Sequence, residues 1–121
     1  MSKMWKANRG EGADTTDSRG VKMERENLRR TLAFAIIEEL GTHKMTIPNI
    51  ERYVIPKRTK YRINKSEKIT QADIVIATLI VEYVCAQKPI AFRYGHGDVW
   101  TSQRKDAIMS CDLPVDKSSK I

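Results

Sequence analysis

Residues Thr70 to Ala86, TQADIVIATLIVEYVCA, form the longest apolar run of the chain, and any fold it adopts has to cover them. The run opens with Thr70 and Asp73, the spacing of a capping box, in which hydroxyl and carboxylate each satisfy a free backbone N–H. Beyond that start, only Thr78 and Glu82 are polar before Gln87, and with Gln71 and Val75 they mark one narrow stripe. The other sides are apolar, which predicts a helix that is buried or paired with a partner. A buried strand ends after about 4–8 residues. A membrane span needs roughly 20 apolar residues, and Asp73 and Glu82 interrupt this run. The expectation is a soluble domain built on a central helix, with no membrane association.

At 121 residues and 40% hydrophobic content, the chain can bury one modest core. The composition predicts a flexible arm over residues 1–23, a domain over 24–104 and a flexible tail over 105–121. The N-terminus lacks the apolar core of a secretion signal. Cys85 and Cys111 show no ligand spacing, which suits a reducing compartment, so the expected location is cytoplasmic.

Within the domain, residues 24–40 carry Leu28, Leu32, Ala35, Ile36 and Leu40 at helical spacing, with Arg29, Arg30, Glu38 and Glu39 expected to face outward. Residues 45–55 read as a short helix capped by Thr46, with Pro48 in its first turn and Pro56 at its end. In residues 57–68, Thr59, Tyr61 and Ile63 alternate with polar neighbours, which predicts a short strand or extended loop. After Pro89, IAFRYGHGDVWTSQ reads as a β-hairpin turning at His96 and Gly97, with Ile90, Phe92, Tyr94 and Val99 on the core face. Arg93 and Trp100 then share the outer face, a cation beside a π surface. The expected fold class is α+β, three helices followed by a β-hairpin.

Charge is concentrated in one place. Residues 45–69 hold seven Lys and Arg against two Glu, a net of +5 out of +7 for the whole chain. Lys57, Arg58, Lys60, Arg62, Lys65 and Lys68, with Tyr61 interleaved, are candidate phosphate contacts, Tyr61 being available for stacking or packing. Catalysis finds little support. His43 and His96 are the only histidines, and no serine or cysteine sits in a nucleophile signature. The expectation is therefore no enzyme, no metal and no cofactor.

The order of elements resembles the winged-helix family of DNA-binding domains over about residues 24–104, on the Thr70-capped helix followed by the Ile90–Gln103 hairpin. That resemblance implies a recognition helix carrying Thr70, Gln71 and Thr78, and a wing carrying Arg93, His96 and Arg104; Trp100, on the outer face of the hairpin, is a further candidate contact. The expected function is DNA binding, with RNA as a variant, by a small regulator or accessory factor acting as a homodimer. The alternative is an interaction module whose basic segment docks on an acidic protein surface.

Overall fold

The computed structural model describes the backbone of residues 14–112 and the side chains of residues 25–112, so the expectations for residues 1–13 and 113–121 lie outside the described residues. Helix α1 spans Asp14–Glu39. Helix α2, Ile47–Asn49, runs on through a π turn at Ile50–Val54 and a 3₁₀ segment at Ile55–Tyr61. Helices α3 (Gln71–Ala86), α4 (Ile90–Tyr94) and α5 (Asp98–Ser110) follow. The described residues are 76% helical and contain no strand, which overturns the expected α+β class, the β-hairpin and the winged-helix architecture.

The central element is as expected. Thr70 caps α3, its hydroxyl accepting from the Asp73 backbone N–H while the Asp73 carboxylate accepts from that of Thr70. Helix α1 packs lengthwise on α3, burying Leu32, Ala35 and Ile36 against Ile74, Ala77, Ile80, Val81 and Val84. Each fully buried aliphatic side chain contributes about 1.5–3 kcal/mol relative to exposure, so this seam is the main source of stability. Ile50 and Val54, Phe92 and Ile108 close the same core from the remaining elements.

Helix α1 starts at Asp14, ahead of the expected boundary at residue 24. Its polar residues near the seam do not simply face water. Arg29 Nε donates to Asp73 Oδ1 at 2.7 Å, Arg30 Nη1 donates to the Ile108 carbonyl at 2.9 Å, and Glu38 and Glu39 bind opposite neighbours. One helix thus ties α3, α5 and the 3₁₀ segment through consecutive turns.

The second helix does not stop at Pro56. Ile55 donates to Ile50 across an i→i+5 turn, and the missing N–H of Pro56 is absorbed where the helix loosens and tightens again. The segment ends at Arg62, which has φ +67. There Ile63 N–H donates to Arg58 and Arg62 N–H to Thr59, the double closure of a Schellman motif, with Ile63 buried beneath it. Neither residue belongs to a strand.

The region expected to form a hairpin is two helices. The supposed core face does not exist: Ile90 is 75% exposed and Val99 66% exposed, whereas Phe92 alone is buried. The operative pattern is Trp100, Arg104 and Ile108, four residues apart on one side of α5. Gly97, at φ +100, supplies the left-handed turn that starts α5, and Gly95 lies so close to the Ala91 carbonyl and the Trp100 indole that a Cβ would collide with both.

Candidate functional site

The basic segment is partly spent on the fold. Glu39, at the end of α1, accepts from Lys57 at 3.2 Å, from Lys60 at 2.9 Å and from the Tyr61 hydroxyl. Burial acts to raise the Glu39 pKa, but the Tyr61, Lys60 and Lys57 hydrogen bonds outweigh it and hold the carboxyl at about 2. The Tyr61 hydroxyl is pushed well above its usual range by burial and by the same carboxylate. Its ring is packed edge-on against Phe34, with centroids 5.8 Å apart. Tyr61 is therefore a structural contact rather than an open stacking surface.

A lowered folded-state pKa means that the unfolded chain binds more protons. The stabilisation from Glu39 is fully present above its ordinary value of 4.5 and is lost as pH falls through about 2. Glu39→Gln is expected to be about 1–2 kcal/mol less stable at pH 7, a value discounted for the exposure of both lysines. Urea titrations between pH 2 and 7 should show a shallower acid limb in the variant; parallel curves would rule the carboxylate out as the anchor.

Other candidates divide cleanly. Arg58 Nη1 donates to the Glu67 carbonyl at 3.0 Å. Arg62, Lys65 and Lys68 are exposed and have no ion-pair partner among the described residues. The turn that carries Lys65 and Lys68 is held to α1 by Arg25, which binds the Glu67 carboxylate at 3.2 Å and the Lys68 carbonyl at 3.0 Å. Arg62 and Lys60 line a groove of about 300 Å3 with Thr31 and Phe34 of α1 and with Lys105 and Met109 of α5. Lys105 was invisible to sequence reasoning, which placed it in a tail. Only the packing of α5 against α1 brings it beside a segment more than forty residues earlier.

That groove continues on one side. Arg62 and Thr31 also border a concavity with Arg25, Asn27, Asn64 and Glu67. A separate groove of about 450 Å3 is bordered by Lys44, Asn49, Tyr53, Lys57, Glu39 and Leu40. Glu39 links the two grooves, lining the second and binding Lys57 and Lys60, so the basic track from Lys44 to Lys105 runs past one paired carboxylate.

The wing candidates lie elsewhere. Arg93 and His96 line a groove with His43, Tyr94, Glu38 and Arg104, and no residue of 57–68 contributes to it. Trp100 packs on Gly95 and is partly buried, so it does not pair with Arg93 across a hairpin. Arg104 is 5% exposed: its Nε donates to Glu38, and its Nη1 donates to the Phe92 and Gly95 carbonyls at 2.9 and 3.2 Å. It fastens α4 and α5 to α1, and its burial keeps it from serving as a wing contact. The Thr70 hydroxyl is committed to the helix cap, and the Thr78 hydroxyl donates to the Val75 carbonyl; Gln71 is exposed at the start of α3.

Among the described residues there is no cluster of three potential metal ligands and no helix long and apolar enough to cross a membrane. No protein-family model, curated protein or solved structure matches the chain.

Proposed function

We propose that the protein binds nucleic acid through phosphate contacts along the basic track, with Lys60, Arg62 and Lys105 at its centre and Lys65 and Lys68 beside it. The observation that carries this reading is Arg62. A left-handed C′ position is one that glycine fills without steric cost, whereas a side chain there is strained. An exposed cation at such a position has a use outside the fold, and strain of this kind clusters at functional sites. Flanked by Lys60 and Lys105 in one groove, Arg62 presents a donor fork suited to phosphate oxygens. The two free cysteines accord with a cytoplasmic setting.

The test is fluorescence anisotropy with labelled oligonucleotides over a salt series. Each phosphate contact contributes about 0.7–0.9 to the slope of log K against log salt. The Lys60→Ala/Arg62→Gly/Lys105→Ala variant should lose roughly two units of slope and bind all sequences more weakly. Glycine at position 62 keeps the backbone turn, and the Lys60–Glu39 pair lost with Lys60→Ala is largely exposed on the lysine side, so the Tm should fall by only a few degrees. An unchanged slope would remove the track from the interface. Equal competition by polyglutamate would replace nucleic acid with an acidic protein surface.

A further inference from the structure

We propose that Tyr53 is a stacking platform for an unpaired base, so that the ligand of the basic track is a single-stranded nucleic acid; this rests on the phosphate-binding reading above. In a regular α-helix, positions 50 and 53 lie on the same face. Here Ile50 and Val54 are fully buried while Tyr53 is 50% exposed, because the i→i+5 turn between them inserts extra backbone and swings position 53 out of the core. Such π turns recur at functional sites.

The surroundings of the ring suit a nucleotide. The Arg52 guanidinium carbon sits 6.0 Å over the ring centroid, which adds a cation at the π surface. Lys44 lines the same groove and can meet a phosphate beside the base, while Lys57 offsets the charge of Glu39, which also lines it. Asn49 uses its amide N–H on the Lys44 carbonyl at 3.0 Å, which holds the side chain in place with its carbonyl oxygen free to accept from a base amine.

Among the described residues, the other aromatic rings near the surface have partners within the fold. Tyr61 packs on Phe34, Trp100 packs on Gly95, and Tyr94 has its hydroxyl within 3.2 Å of Thr42 and its ring centroid 6.1 Å from that of His43. Duplex readout has no counterpart here. Helix α3 contains no Lys or Arg between Ile69 and Gln87, and a base within a duplex has its faces covered by its neighbours, whereas an unpaired base offers a π face to any aromatic side chain.

The experiment measures anisotropy of the full chain with labelled oligo-dT, oligo-U and a base-paired hairpin of the same charge. Wild type should favour the single strands, and the dT and U arms distinguish DNA from RNA. Tyr53→Ala should weaken single-strand binding roughly 5- to 150-fold, leave the salt slope and hairpin binding unchanged, and be rescued by Tyr53→Trp. Tyr94→Ala should behave as wild type. Hairpin binding as tight as single-strand binding, with Tyr53→Ala silent, would overturn the stacking proposal and leave the phosphate track standing. Wild type that binds none of the three probes would overturn both.

Discussion

Arg104→Ala is expected to melt on the order of 15 °C below the parent chain, a loss of about 3–5 kcal/mol. The guanidinium is buried and satisfies three groups at once: the Glu38 carboxylate and the carbonyls of Phe92 and Gly95. Removing it leaves the half-buried Glu38 without its cation and two carbonyls at the end of α4 without a donor, and unpaired buried polar groups are costly. Helix α4 has only five residues and no other closure to α5 of this strength. Arg104→Lys should recover only part of the loss, since one ammonium cannot span the fork. Circular dichroism melts measure the effect, and the salt slope of nucleic-acid binding supplies the contrast. A wing residue would change the slope and spare the Tm; Arg104 should do the reverse. A variant that melts within a few degrees of the parent would show that α4 and α5 are held by apolar packing alone.

Asp73→Ala should cost about 2–4 kcal/mol, because one carboxylate does two jobs. It completes the capping box with Thr70 and, at 0% exposure, accepts from Arg29 at 2.7 Å with Arg25 3.4 Å away. Asp73→Asn separates the two roles. It keeps an acceptor for the Thr70 N–H and loses the charge, so its melting point should fall between the parent and the alanine variant. Burial acts to raise the Asp73 pKa, but the Thr70 backbone N–H, Arg29, the Thr70 hydroxyl and Arg25 prevail and hold it below the usual carboxylate range. The stability it confers is therefore present above its ordinary value of 3.8 and declines as pH falls through the lower folded-state value. Asp73→Ala should lack that part of the acid limb. Urea midpoints across the acid range check this, and an unaltered limb would show that neither the cap nor the ion pair depends on the ionised carboxylate.

Both residues show where the sequence was legible. The Thr70–Asp73 cap, the Thr46 cap and the apolar period of α1 and α3 were readable because each depends on groups within a few positions of one another. The same cap carboxylate's link to Arg29 spans 44 positions and leaves no local trace. The basic character of residues 57–68 was equally plain, but its division was not. Glu39 takes Lys57 and Lys60, the Glu67 carbonyl takes Arg58, and Arg62 is left exposed in a strained turn.

Residues 90–110 misled for a physical reason. Alternating Ile90, Phe92 and Tyr94 followed by glycines imitates a hairpin, and a period of two cannot be told from a short helix over five residues. In α5 the inward stripe contains an arginine, so its apolar period is broken by the residue that fixes it in place. Local chemistry determined by itself that α1 and α3 are helices and that charge gathers after Pro56. Whether Arg104 faces water or core, and whether Lys105 joins Lys60 and Arg62, was decided only when the chain closed on itself. A carboxylate 66 positions away made burying the guanidinium favourable, and no window along the sequence contains both partners.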